Sequence, residues 1–204
     1  MYGLTKDEER LLRSLNSPGK IQDYLDHIPI NFEPGGDTCL SPRRVIRENR
    51  AHCIEAAMLA AVAFRLNNEP PLVLHLASCA HDFDHVVTLF KRQGCWGAVS
   101  KTNHAVLRYR EPVYRTLREL ALSYFHEYTD DNGRKTLRSY SLPIKLSRFD
   151  KMGWITNEDD NWDIAIHLAE SKHFPLLNRS QIAALRKAHP TEIKAGEIVE
   201  WEKK

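Results

Sequence analysis

Apolar positions change their period several times along the chain, and each change marks an element. Residues 6–15 carry Leu11, Leu12 and Leu15 at helical spacing, and residues 19–27 do the same with Ile21, Tyr24 and Leu25. The stretch PINFEPGGDTCLSP (29–42) then breaks the period with three prolines and two glycines. Ser41-Pro42 offers a capping hydroxyl followed by proline at a first helical position, so a helix is expected over about 42–48. From Cys53 to Phe64 the only charged residue is Glu55. A helix apolar on all sides belongs in a core, and Ala51–Asn68 is read as such a helix. Asn49 is its expected cap, which places Cys53 in the first turn or two.

The period then shortens to that of strands. PPLVLHLA (70–77) is rich in Leu and Val, and HVVTLFK (85–91) and CWGAVSK (95–101) flank Arg92-Gln93-Gly94, a loop suited to a hairpin. Helical spacing returns after Glu111-Pro112 with Val113, Leu117, Leu120, Leu122 and Phe125; Asp130–Gly133 reads as a turn. The stretch TLRSYSLPIKLSRFDKMGW (136–154) is mixed, with room for a short strand or extended arm. Residues 157–171 read as a helix with acidic residues in its first turn, and Ser180 as the cap of a helix over 181–189. Residues 191–204 are expected to form a short charged surface helix. The fold class is therefore α+β: a buried helix with a cysteine at its N-terminus, packed on an antiparallel sheet of at least three strands, with flanking helices. No repeat or linker divides the chain, so residues 1–204 are expected to form one domain with a core at about 40–105.

Composition narrows the classes. Apolar residues make up 42% of 204 residues, and 29 Lys+Arg stand against 27 Asp+Glu, a formal charge of +2. That is enough apolar mass to fold, and no basic field points to nucleic acid. No window approaches a membrane span and the first residues lack an apolar signal core, so a cytoplasmic protein is expected. The oligomeric state is left open. Cys39, Cys53, Cys79 and Cys95 show no C-x-x-C spacing and read as free thiols.

Cys53 carries the candidate chemistry. A helix N-terminus favours thiolate over thiol, and the thiolate is the nucleophile. His85 opens a strand 32 residues later. Acyl transfer by cysteine needs a base within hydrogen-bond reach of the sulfur, and a strand paired beside the helix start can deliver one.

The order CIEAAMLAA, DHVVTLFK, GCWGAVSKTNH resembles the transglutaminase-like branch of the papain-like cysteine enzymes. The longer run from TCLSPRRV through CWGAVSKTNHAVLRYREPVYRTLREL to TLRSYS resembles a group of uncharacterised bacterial and archaeal proteins of that type. The resemblance implies a papain-like core, with Cys53 as nucleophile and His85 as general base. It further implies a peptide hydrolase, amidase or transferase acting on a peptide or amide-containing substrate without a cofactor. The family places an Asp a few residues after the Trp of the second strand. Here that position falls near Ser100, and no acid lies between Trp96 and Asn103. Asn103 or Ser100 is then the residue that orients His85.

Two other readings compete. His52 followed by His81-Asp82 is similar to the metal-dependent phosphohydrolases named for a His-Asp pair, but that fold is all-helical and the strand-like segments oppose it. Zinc on Cys79, His81 and His85 lacks a second ligand pair. A non-catalytic binding protein on the same fold is the other alternative, motivated by the missing Asp. Among the remaining residues, Trp96 reads as core or as a neighbour of the catalytic pair, and His75 as a buried or edge histidine. Glu55 reads as a helix-start acid or a partner of Arg47 or Arg50. Lys101, Arg108 and Arg110 read as a solvated basic face.

Overall fold

A computed structural model of the chain describes residues 2–202. Four helices come first. Helix α1 (Lys6–Ser14) starts at Thr5, whose side chain and that of Glu8 cap each other's backbone. Helix α2 (Pro18–His27) is capped by Ser17, and α3 (Pro42–Glu48) by Ser41 as the sequence suggests. Asn49 does not cap the long apolar helix. It closes α3 in the left-handed conformation, with φ 50°, a conformation Asn tolerates better than most residues. The apolar helix α4 (Cys53–Leu66) starts at His52 and is buried from Ile54 to Phe64.

The sheet is antiparallel throughout. It comprises β1 (Leu72–Ala77), β2 (His85–Arg92), β3 (Cys95–Val99), β4 (Arg110–Tyr114), β5 (Ser139–Ser141), β6 (Ile144–Lys145) and β7 (His173–Pro175). The order is β4-β3-β2-β1-β5-β7, with β6 also paired to β1. Both faces are covered. Val73, Val86, Phe90 and Val99 join the core built on α4, while Leu74, Leu76, Val87, Leu89 and Ala98 join a second core with Leu120, Tyr124 and Leu137. This two-sided burial is why the central strands read as continuous apolar runs rather than alternating ones. Each fully buried Val, Leu or Phe contributes roughly 1.5–3 kcal/mol. On the α4 side Thr88 turns its hydroxyl to the Ala57 carbonyl at 2.7 Å, tying β2 to the helix. Gly97 is required by close approach, since a Cβ there would run into the Phe90 ring and lie 2.8 Å from the Arg110 carbonyl.

Beyond the hairpin several expected helices shorten. Residues 110–114 form β4 rather than helix. Their burial alternates, Val113 is 65% exposed, and Pro112 is tolerated because β4 is an edge strand. The helix itself, α5, is only Leu117–Ser123, started by a capping box between Thr116 and Glu119. Helix α6 (Trp162–Glu170) begins after Asn161, so most of the acidic run lies ahead of it; Asp160 there bonds the Cys39 N–H and Arg44. Helix α7 (Arg179–Ala183) is capped by Asn178, not Ser180, because Gln181 completes a reciprocal cap. Helix α8 (Pro190–Glu197) ends early, and the chain then runs extended beside residues 103–105, with Ala105 N–H to Ile198 O at 2.9 Å and Glu200 N–H to Asn103 O at 2.8 Å. The last two residues of the expected charged helix lie outside the described residues. No helix among the described residues is long and apolar enough to cross a membrane.

Candidate active site

Cys53 is the first residue of α4, where the N–H groups of the opening turn have no partner in the helix's own ladder. His52 directly precedes it, and His85 lines the same cleft, so both imidazoles bear electrostatically on its sulfur. Burial pushes the thiol up, but the two imidazoles outweigh it and hold the thiol well below the ordinary cysteine range. Cys39 shows the opposite case. It is fully buried with its Sγ 3.5 Å from the Asn161 carbonyl, and burial, with Glu55 and Asp160 nearby, pushes its thiol up.

His85 opens β2 and is itself buried. Its Nε2 lies 2.8 Å from the Ser100 hydroxyl, which donates its own proton to the Leu107 carbonyl at 2.6 Å. With that proton committed, Ser100 accepts from Nε2–H, and Nδ1 is the ring nitrogen left to take up or give a proton. Ser100 sits just past β3 and is held on both sides of its backbone by Gln22. The Ser100 N–H donates to Gln22 Oε1 at 3.0 Å, and Gln22 Nε2 donates to the Ser100 carbonyl at 2.8 Å. The Tyr124 ring lies edge-on to His85 at 6.5 Å. The Tyr128 hydroxyl donates to the Phe83 carbonyl, fixing the loop that leads into β2.

Ser100 is thus the hydrogen-bond partner of His85, while Asn103 lines the same cleft as Cys53 and His85 with its amide turned to the Trp201 backbone. Both ends of the Asn103 amide hold the Trp201 backbone, at 2.9 Å each. Asp84 turns away from His85 to His75 Nε2 at 3.2 Å and the Ser78 N–H at 2.7 Å, and Asp82 accepts from the Thr136 hydroxyl. Trp96 is not at the thiol; it packs with the second core, under the Lys91 ammonium.

Glu55 pairs with neither Arg47 nor Arg50, which are engaged by Glu158 and Glu48. It is completely buried and accepts from Asn31 at 3.1 Å, the Thr38 hydroxyl at 2.7 Å, and the Leu40 and His52 N–H groups at 2.9 Å each. Burial raises its carboxyl, but His52 and these donors prevail and bring it down to about 2. Glu55 thereby ties the loop after α2 to the start of α4. Lys101 is not part of a solvated face either: at 1% exposure its ammonium caps the end of α2 through the Leu25 and Ile28 carbonyls.

Cys53 and His85 open into a cleft of about 540 Å³, whose walls include Lys101, Leu107, Tyr128 and Glu197. A wider surface groove of about 720 Å³, around Pro143, Arg148 and Lys172, shares no lining residue with it. Cys79 lies 3.3 Å from His81 Nε2 on the loop before β2. Among the described residues no group of three His, Cys, Asp or Glu side chains is arranged to hold a metal ion. The antiparallel sheet also differs from the all-helical fold that the His-Asp phosphohydrolase reading requires.

Sequence reasoning did not reach Gln22, or His52 as a neighbour of the sulfur. For Gln22 there was no local signal, since its partner is 78 positions away. For His52 there was one: Glu55 three residues after it is the spacing of a reciprocal helix cap, with His in place of the usual Ser or Thr. No protein-family model and no curated protein matches the chain.

Proposed function

We propose that the chain is a cysteine-dependent acyl-transfer enzyme, a peptide or amide hydrolase or a transglutaminase-like transferase. The observation that carries this reading is Cys53 at a helix start, sharing a cleft with an imidazole whose Nε2 is held by Ser100. The order of the elements bearing Cys53, His85 and Ser100 supports kinship with the transglutaminase-like branch of the papain-like enzymes.

The Cys53 thiolate attacks the carbonyl carbon, and the π electrons move onto oxygen, where N–H groups of the α4 start oppose the new charge. The tetrahedral adduct collapses as the C–N bond breaks, and the departing nitrogen takes a proton from His85 Nδ1. A thioester remains on Cys53. Water or an amine then attacks it, giving a proton back to His85, and the thiolate leaves. A non-catalytic binding protein is the competing reading, favoured by the neutral hydroxyl behind His85.

A small activated ester such as p-nitrophenyl acetate, followed by peptide mass spectrometry, tests the proposal. An acyl group trapped on Cys53, and lost with Cys53→Ala, is the expected result. Equal labelling of Cys53, Cys79 and Cys95 by iodoacetamide, with no acyl adduct, would overturn it.

A further inference from the structure

Two imidazoles flank Cys53, that of His52 just before it at the helix start and that of His85 across the cleft, and their surroundings differ in kind. Behind His85 stands a hydroxyl that accepts from Nε2. Around His52 Nε2 stand three oxygens: the Thr38 carbonyl at 2.9 Å, Glu55 Oε1 at 3.3 Å and Glu33 Oε1 at 3.5 Å. All three are acceptors, and two belong to carboxylates. This nitrogen must carry a proton, and the setting suits an imidazolium.

We propose that His52 is a positioning residue, a standing cation that holds Cys53 as thiolate, and that His85 alone carries the proton to and from the substrate. The proposal rests on the reading of Cys53 as the nucleophile. The fold builds His52 into this place. His52 is the first residue before α4, and Glu55 reaches back to its N–H at 2.9 Å, which sets the carboxylate beside the ring. Glu55 is fully buried and needs a positive partner. Arg50, the nearest arginine in the chain, is occupied by Glu48 at 2.8 Å and by the Asn31 side chain at 3.0 Å. His52 is the cation that reaches Glu55.

The charged groups facing each ring can be named. Cys53 and Glu55 face His52 from α4, and Glu33 faces it from the loop after α2. Against the burial that pulls it down, the sulfur and Glu55 raise the affinity of His52 for its proton. Cys53, Ser100 and the Tyr124 ring face His85, while Asp84 is turned to His75. The carboxylate absent behind His85 thus has a counterpart behind His52. In the transfer described above, His52 keeps its proton from start to finish, and no bond to it forms or breaks.

The pH profile of iodoacetamide labelling at Cys53 tests this, read by peptide mass spectrometry on folded protein. In the intact chain half-maximal labelling is expected well below the ordinary thiol range. His52→Gln should raise that midpoint by about one unit or more, the effect of removing a cation next to the sulfur. It should also slow ester turnover at neutral pH, with recovery at higher pH. His85→Gln should move the midpoint less and abolish turnover at every pH. Glu33→Gln, at a more exposed position, should move the midpoint in the same direction as His52→Gln by a smaller amount; it decides the matter if His52→Gln does not fold. If Cys53 labels early in the intact chain and neither variant shifts the profile, the role of His52 is refuted while the nucleophile stands. If Cys53 in the intact chain labels no earlier than Cys79 and Cys95, the nucleophile reading itself fails.

Discussion

Ser100 receives the far nitrogen of His85 at 2.8 Å and hands its own proton to the Leu107 carbonyl at 2.6 Å. A neutral hydroxyl, itself oriented by a backbone acceptor, thus fixes the tautomer of the imidazole.

Ser100→Ala removes that constraint and leaves Nε2–H buried without its acceptor. Acyl transfer is expected to fall about tenfold, the equivalent of one net hydrogen bond, near 1.4 kcal/mol. Labelling of Cys53 at neutral pH should change little, because ionisation of the sulfur also draws on His52. Steady-state turnover and labelling rates measured on the same preparation check both halves.

Asn103→Ala should leave thiol labelling unchanged. Its amide holds the Trp201 backbone, so the expected effect is faster proteolytic cleavage within residues 198–202, read by mass spectrometry. A large fall in ester turnover without such cleavage would instead give Asn103 a part in the chemistry.

Glu55→Gln should destabilise the fold at neutral pH by about 3 kcal/mol, the cost of breaking a buried charge network. The sign with pH follows from its depressed carboxyl, which ionises at about 2 when folded. The stabilisation is complete above the unfolded carboxyl range and is lost as pH falls toward the folded value. Urea melts at pH 7 and pH 3 should therefore show a steep loss for the intact chain and a flatter one for Glu55→Gln.

The thiols should separate by rate. At a pH below the ordinary cysteine range Cys53 should label first, because its folded ionisation lies lowest, and Cys39 last, because it is buried and its thiol is pushed up. The ionised sulfur favours the folded state, a stabilisation present above the unfolded thiol range and lost as pH drops through the lower folded value. Denaturant should erase the ranking.

How much of this was legible in advance depends on the range over which each feature is decided. The helix bearing Cys53, the hairpin of β2 and β3 and the opening of β2 at His85 are written in local period and turn chemistry, and these appear at the positions read from the sequence. Residues 110–114 misled because Val113 and Leu117 mimic helical spacing, whereas pairing with β3 and the Thr116 cap decide the outcome. Of the candidate site, the placing of Cys53 and His85 at element starts could be read from the sequence. The choice between Ser100 and Asn103 could not, because it turns on where residues 22, 107 and 201 arrive in space. Lys101 looked like surface because charge alone does not reveal that the end of α2 lies over it.

The clasp of Gln22 on Ser100 makes the surroundings of His85 depend on a distant helix. β3 ends by handing its backbone to a side chain from α2, so the seat of His85 exists only after the first helices have docked on the completed hairpin. In a partly unfolded chain that lacks this seat, Cys53 is expected to behave as an ordinary thiol. The reactivity proposed for Cys53 would then belong to the assembled fold and not to the local sequence around it.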